Sequence, residues 1–494
     1  MVSSAADVDV VVVGAGISGI DAAYHLTHEC PDRSFVMLEG RADIGGTWDL
    51  FKYPGIRSDS DMHTLGFGFK PWVHDKAIAD GESIMDYLRE TVAEYELDQY
   101  IRFNTHVDRA DWSSDEGRWT ISATDTTTGD PVTYTCTFLF MCSGYYSYKG
   151  GYRPDFPGEE RFGGAMIHPQ QWPDDLDYEG KRVVVIGSGA TAMTLVPAMA
   201  STGAGHVTML QRSPTYVVSR PDKDVIANGL RKILPDDIAY RLTRRKNIAL
   251  GQFFYKQTRS KPEKVKANLL KMSRKQLGDD VVDEHFTPEY NPWDQRLCLI
   301  PNGDLYESLN SGAASVVTDT IDTFTETGIQ LTSGEHLDAD IIVTATGLQL
   351  VTLGEMDVAV DGEPVDFANT YTYKGLMYSD VPNLASTFGY INASWTLRAD
   401  IVCKWVTRVL NHMRAVGADV VTPRLRNEDQ GMPMRPWIDD FSAGYIRRMA
   451  PMLPKQGDRE PWIANQNYAK DQAMIVDAPV PDDVLTFERV TANA

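Results

Sequence analysis

Two glycine-rich turns carry the first chemical signal. Gly14-Ala15-Gly16-Ile17-Ser18-Gly19 follows a run of valines, and Gly187-Ser188-Gly189-Ala190-Thr191-Ala192 follows a second apolar run at 182–186. Such a turn lets a pyrophosphate approach the backbone N–H groups at a helix N-terminus. Each turn is followed, at the same distance, by a residue that can sort one dinucleotide from another. Glu39 lies 39 − 14 = 25 residues after Gly14, and Arg212 lies 212 − 187 = 25 residues after Gly187. A carboxylate accepts hydrogen bonds from a ribose 2′-hydroxyl but repels a 2′-phosphate, whereas a guanidinium grips that phosphate bidentately. The first turn therefore reads as a site for a dinucleotide with a free 2′-hydroxyl, using Gly14, Gly16, Ser18, Gly19 and Glu39, with Val107 on a later strand. The second reads as an NADP site using Gly187, Ser188, Gly189, Thr191, Arg212 and Ser213. A lone glycine motif is weak evidence. Strand, turn, helix, second strand and acid at the right distances are specific together.

Two longer stretches narrow the reading. Gly45-Gly46-Thr47-Trp48, continued by Tyr53-Pro54-Gly55-Ile56-Arg57-Ser58-Asp59, fits GGxWxxxxYPGxxxD. Phe162, Gly164, His168, Trp172 and Pro173 fit FxGxxxHxxxWP without a mismatch. The second stretch lies between the two turns and reads as a linker between nucleotide-binding halves. Gly164 permits backbone angles closed to other residues, and Pro173 stiffens the chain beyond it. Trp172 has the surface to anchor a linker. His168 can both donate and accept hydrogen bonds, so it can tie one half to the other. Either residue alone would be unremarkable in a linker; five positions in register are not. In these two stretches the chain resembles the Baeyer–Villiger monooxygenases, flavoenzymes that insert an oxygen atom next to a ketone carbonyl. The broader flavin-containing monooxygenases carry Tyr or Phe in place of the Trp, so Trp172-Pro173 favours the Baeyer–Villiger branch.

The resemblance makes the dinucleotide of the first turn FAD and implies roles for particular residues. Gly46, Thr47, Trp48 and Asp59 run along FAD, and Arg57 and Asp59 make the surroundings of its ring polar. Asp61 reads instead as part of a solvated loop. Arg296, in Asn291-Pro-Trp-Asp-Gln-Arg-Leu-Cys-Leu299, stands where the family places an arginine facing the flavin. Asp59 would hold its guanidinium, and His168 completes the catalytic set. Gln295 replaces a lysine that assists NADP binding in related enzymes, which leaves Arg212 more of that task. Trp462 belongs either to a loop covering the nicotinamide or to a core. The implied activity uses NADPH and O2 to convert ketones to esters or lactones through a peroxide carried on FAD. Sulfides and thioamides are second substrates. An N- or S-oxygenase without ketone activity and an uncoupled NADPH oxidase remain as alternatives. Cysteine is absent from residues 40–60, which removes thiol–disulfide exchange as the main chemistry.

Positioning these residues needs a strand at 8–13, a helix at 20–30 and a strand at 34–38 ending on Glu39. Strands at 117–124 and 132–141 should return to FAD at Cys142-Ser143-Gly144, with Cys142 a packed small hydrophobe. The second fold needs strands at 182–186, 206–210 and 340–347. A strand at 383–390 and a helix at 395–413, capped by Ser394, close the chain. The reading is an α/β protein with two Rossmann-like dinucleotide-binding domains, FAD and NADP, the second inserted in the first. The segments are 1–145 (FAD), 146–220 (NADP), 221–290 (helical insert), 291–349 (NADP) and 350–494 (FAD).

Composition bounds the partners. The 494 residues are 43% hydrophobic and 23% charged, as in soluble globular proteins. A net charge of −22 argues against nucleic acid. Five scattered cysteines without a CxxC pair indicate neither a disulfide framework nor a metal site. No basic, apolar leader and no run of ~18–20 apolar residues occurs, so a cytoplasmic chain is expected. One segment departs from this acidity: 231–275 holds 14 Lys or Arg against 3 Asp or Glu. It reads as a solvated helical insert, with weak attraction to anionic membrane surfaces as the sharper alternative.

Overall fold

The structure, a computed structural model, describes residues 6–295, 297–439 and 441–490. Val10, Val11, Val12 and Val13 lie at the centre of the first sheet and are buried. Val10 and Val12 enter one apolar cluster and Val11 and Val13 another, as side chains alternating across a strand must. Their strand, Ala6–Val13, pairs in parallel with Phe35–Leu38 and with Pro131–Met141. Leu384–Ser386 adds a parallel strand beside the end of Pro131–Met141. On that side the sheet turns antiparallel, through Arg118–Asp125 to Thr105–Ser113. Asp357–Val360 lies parallel to Thr105–Ser113. The sheet thus takes strands from before residue 142 and from after residue 356.

A five-stranded parallel sheet occupies the sequence between. Its order is Ala314–Thr318, His206–Gln211, Arg182–Ile186, Ile341–Thr344, Ala165–Ile167. The architecture is the expected one, two dinucleotide folds with the second inserted in the first. The helices Val225–Arg231, Asp236–Ser260, Pro262–Leu277 and Asp279–His285 form an excursion from the second fold. The strands Val217–Arg220 and Cys298–Pro301, which flank that excursion, pair in parallel at its base.

Two expectations are corrected here. The stretch 162–173 is not linker alone. Ala165–Ile167 pairs with Ile341–Val343 as the edge strand of the second sheet. The strand expected over 383–390 is only Leu384–Ser386. Beyond it, a Cβ on Gly389 would lie 2.3 Å from the Trp395 ring, so the chain there passes against that indole without a side chain of its own.

The two crossings between the folds run side by side. Val351 N–H donates to Tyr145 O, Ser147 N–H to Gln349 O and Tyr152 N–H to Gly347 O, each at 2.9 Å. The 162–173 stretch is bonded to both crossings. Gln170 Nε2 donates to Ser147 O, and His168 Nε2 lies against Gly347 O.

Candidate active site

The two glycine turns have the same construction. Helix Ile17–Glu29 begins at Gly16 and helix Ala190–Ser201 at Gly189, and neither first turn receives a side-chain cap. Their leading N–H groups are therefore left for an anion. Gly14 and Gly187 adopt φ of +102° and +136°, which L side chains rarely tolerate. The third small position differs between the folds. A Cβ on Gly19 would lie 1.9 Å from the Gly14 carbonyl oxygen, whereas Ala192 is accommodated fully buried.

Glu39 directly follows the strand Phe35–Leu38 and is buried. Its two carboxylate oxygens accept from Ala15 N–H at 2.8 Å and from Arg41 N–H at 2.9 Å. Burial raises its pKa, and these two bonds oppose the shift. The carboxylate is thereby fixed at the mouth of the first turn. Arg212 directly follows the strand His206–Gln211 in the same way, and it is exposed. Beside it, Ser188 Oγ donates to Ser213 O at 3.1 Å and lies 3.0 Å from Thr215 Oγ1.

A cavity of about 380 Å³ opens between the folds. From the first fold it is lined by Gly14, Gly16, Ser18, Glu39, Gly46, Thr47, Trp48 and Asp59, and from the second by Gly189 and Thr191. Cys142, Ser143 and Gly144 also line it, so the third strand returns to the turn as expected. Burial pushes the Cys142 thiol well up, which suits a packed side chain rather than a nucleophile. The cavity thus gathers most of the residues expected for FAD together with two expected for NADP.

Other expected residues fall elsewhere. Gly19 and Gly187 lie beneath their turns, against Gly14 O and Ala345 O. Val107 is buried on the strand Thr105–Ser113, whose Thr105 N–H donates to Glu39 O, but it does not line the cavity. Arg212, Ser188 and Ser213 stand outside the cavity lining. His168 stands behind it, at Gly347, which does line it. Arg296 lies outside the described residues. Trp462 is a core residue, 0% exposed, with Nε1–H donating to Asp429 Oδ2 at 2.9 Å. Its indole packs beside Tyr371 and Tyr373, so of the two readings the structure takes the buried one. Asp61 is not a loose loop residue. It caps the helix Met62–Leu65 through Thr64 N–H and accepts from Asn247 of the helical insert. Arg57 lines the cavity, but it also pairs with Asp304 of the second fold and so joins the two halves.

The sequence reading missed an aromatic wall. The Trp395 indole donates to Ser18 Oγ at 2.7 Å and stacks on Tyr145 at 4.9 Å between centroids. Tyr145 OH lies 2.9 Å from Tyr146 OH. Phe51, Tyr53, Tyr148, Tyr390 and Tyr445 add further rings to the lining. Stacked and edge-on rings of this kind bind a planar heterocycle while excluding water. The one available signal was Tyr145-Tyr146 directly after Cys142-Ser143-Gly144, without any periodicity to place it.

The comparisons with known proteins agree with this geometry. A family model described as flavin-binding monooxygenase-like matches residues 7–420. The FAD-containing monooxygenase EthA of Mycobacterium tuberculosis is 52% identical over 482 residues, which are 97% of this chain and 98% of that protein. EthA of Mycolicibacterium smegmatis is 53% identical, over 97% of each chain. Among solved structures, an oxidized steroid monooxygenase bound to NADP superposes with a TM-score of 0.79 at 24% identity. It covers 98% of this chain and all of its own. Cyclohexanone monooxygenase from Rhodococcus sp. Phi1 bound to NADP+ gives 0.77 at 20% identity, with the same coverage. These two likenesses show the fold.

Proposed function

The chain belongs to the flavin-binding monooxygenase-like family, and from that premise we propose an FAD-dependent, NADPH-consuming Baeyer–Villiger monooxygenase. The balanced reaction is ketone + O2 + NADPH + H+ giving ester or lactone + NADP+ + H2O. Soft sulfur, in sulfides and thioamides, is a second substrate class. The observation that carries the reading is the single cavity reached by both glycine turns, with Gly16 and Glu39 on one side and Gly189 and Thr191 on the other. Such a cavity lets a nicotinamide and a flavin share one water-poor space.

The residues fit the two groups. The uncapped turn at Gly16 receives a pyrophosphate, and the Glu39 carboxylate, already held by two N–H groups, faces a ribose. Bound FAD would supply the oxygen-transferring chemistry once reduced. The chain's own part is to orient and shield. The Trp395 and Tyr145 rings wall the site, and Ser18 Oγ is held by the indole N–H. Arg296 would supply a fixed positive charge for the developing anion, steadied by Asp59. A guanidinium stays charged at every working pH.

The test is purified protein with a panel of ketones and sulfides under NADPH and air. Esters, lactones and sulfoxides should form, coupled to NADPH consumption. Arg296→Ala should keep consuming NADPH while yielding hydrogen peroxide and almost no ester. Sulfoxides without any ester across the panel would reduce the reading to a heteroatom oxygenase.

A further inference from the structure

We propose that the helical insert is a docking surface for an anionic lipid bilayer. Among the described residues, eight of the fourteen exposed large hydrophobics fall within 225–272, about a tenth of the chain. The most exposed are Val225 at 78%, Ile233 at 77%, Phe253 at 62%, Leu250 at 58% and Ile226 at 56%. An exposed apolar side chain is ordinary singly, but a concentration of them is not.

Helical geometry gathers these side chains. On the helix Asp236–Ser260, Ile238, Leu242, Ala249 and Phe253 recur at steps of four, seven and four residues, and so share one face. All four are exposed. At ~1.5 Å per residue the 25-residue helix is roughly 37 Å long, so the stripe is extended rather than a single contact point. The helix Val225–Arg231 is pinned to it. Asp224 caps that short helix and pairs with Lys246 at 2.6 Å. Leu250 stands one turn beyond Lys246, which sets the Val225 and Ile226 end of the short helix near it.

Charge selects the occupant. The segment 231–275 has a net charge of 14 − 3 = +11, while the rest of the chain has 33 − 66 = −33. Several of these cations are committed to structure. Arg244 is turned inward to the carbonyls of His63, Thr64 and Gly66, and Arg231 pairs with Asp75. Lys232, Arg245, Lys256, Lys264, Lys271 and Lys275 are exposed, with no ion pair among the described residues. Arg245 and Lys256 lie on the same helical face as Leu242 and Phe253. Apolar side chains interleaved with free cations match the boundary between acyl chains and anionic headgroups. A protein partner would have to be strongly acidic, and a second copy packed insert against insert would meet the insert's own positive charge. No helix among the described residues is long and apolar enough to cross a membrane, so the contact is with a bilayer surface.

The experiment uses the full chain. It is sedimented with phosphatidylcholine vesicles, with and without phosphatidylglycerol, at low and raised salt. Expected is partition onto the phosphatidylglycerol vesicles, weak binding to the others, and release by salt. The double variants Leu250→Ser with Phe253→Ser, and Arg245→Glu with Lys256→Glu, should each lower partition about tenfold or more. Neither pair lines the cavity, so melting temperature should be unchanged and exclude misfolding. Failure of the unaltered protein to partition, or variants that partition as well as the unaltered protein, would overturn the proposal. So would a lipid-free dimer in sedimentation velocity that Phe253→Ser abolishes, because the face would then be an interface between copies.

Discussion

The imidazole of His168 bridges two segments, with Nε2 3.1 Å from the carbonyl oxygen of Gly347 and Nδ1 facing the Gln170 N–H at 3.2 Å. Nδ1 can only accept from that N–H, so Nε2 carries the proton and donates to Gly347. The ring is neutral, and burial holds its pKa below the usual histidine value. Gly347 O also accepts from Tyr152 N–H, so the 162–173 stretch and both crossings meet at one carbonyl.

His168→Ala should therefore fold and keep its flavin while loosening the junction. A neutral hydrogen bond contributes about 1 kcal/mol net, or roughly fivefold. Flavin reduction by NADPH, followed by stopped flow, should slow by at least that factor. The pH sign follows from the depressed pKa. The contribution is full above the unfolded value near 6.5 and is lost as pH falls through the folded value. Protonation of Nδ1 would set two N–H groups against each other. A variant reduced at the wild-type rate would reject this role.

Arg212→Ala tests the 25-residue correspondence. Arg212 is exposed at a strand end, so its removal should leave stability unchanged. A charge-assisted bidentate contact is worth ~1.5–3 kcal/mol, or roughly 10- to 150-fold. The Michaelis constant for NADPH should rise by that factor, with little change for NADH. Equal effects on both nucleotides would show that another residue reads the 2′-phosphate.

Beneath the first turn lies a buried polar cluster that no motif announced. His25 Nδ1 meets Glu29 at 2.7 Å, and Nε2 meets Asp400 at 3.2 Å and Asp21 at 3.6 Å. Lys404 pairs with Asp400 at 2.7 Å, and Arg244 adds positive charge nearby. Burial disfavours the imidazolium, but bonds to Asp400 and Glu29 outweigh it and raise its pKa to about 9. The Asp21 carboxyl, fully buried, is raised to about 7. Because the folded pKa of His25 is raised, its contribution is full below about 6.5 and is lost as pH rises through 9. Calorimetry should show the melting temperature falling between pH 7 and pH 10. His25→Gln should be less stable at pH 7 by ~3–5 kcal/mol, and its melting temperature should vary less across that window. Parallel pH profiles for the two proteins would refute the assignment.

These cases show what the sequence could and could not reveal. Gly14 to Glu39 and Gly187 to Arg212 were legible because a strand, turn, helix and strand impose a nearly fixed spacing. The contact of Ser18 with Trp395 joins residues 377 apart, and that of His25 with Asp400 joins residues 375 apart. No local period encodes such pairs. Asp61 looked solvated because its partners, Thr64 N–H and Asn247, are a turn onset and a distant helix. Trp462 sits in an ordinary loop sequence, and only the tertiary partner Asp429 makes it a core residue. The basic segment was visible as composition, but the face shared by Leu242 and Phe253 needed helix boundaries.

The third small position of each turn gives the sharpest contrast between the folds. In the first fold a Cβ at Gly19 would stand 1.9 Å from Gly14 O and 2.9 Å from its carbonyl carbon, both rigid backbone. Relief requires the helix Ile17–Glu29 to move away from the strand Ala6–Val13. That shift carries the N–H groups of the first turn away from the pyrophosphate they are placed to meet. Ala192 holds the matching place in the second fold without such a clash, so helix and strand there are already spaced for a methyl group. Gly19→Ala should therefore cost ~1–3 kcal/mol of stability or more, and it should purify with little or no bound flavin. Ala192→Gly removes a buried methyl and adds backbone freedom, for a loss of ~1 kcal/mol, and should keep its flavin. Flavin absorbance per chain and the melting temperature of each variant decide the matter. If Gly19→Ala binds flavin as well as the parent, the close approach of helix to strand is not what seats the first nucleotide.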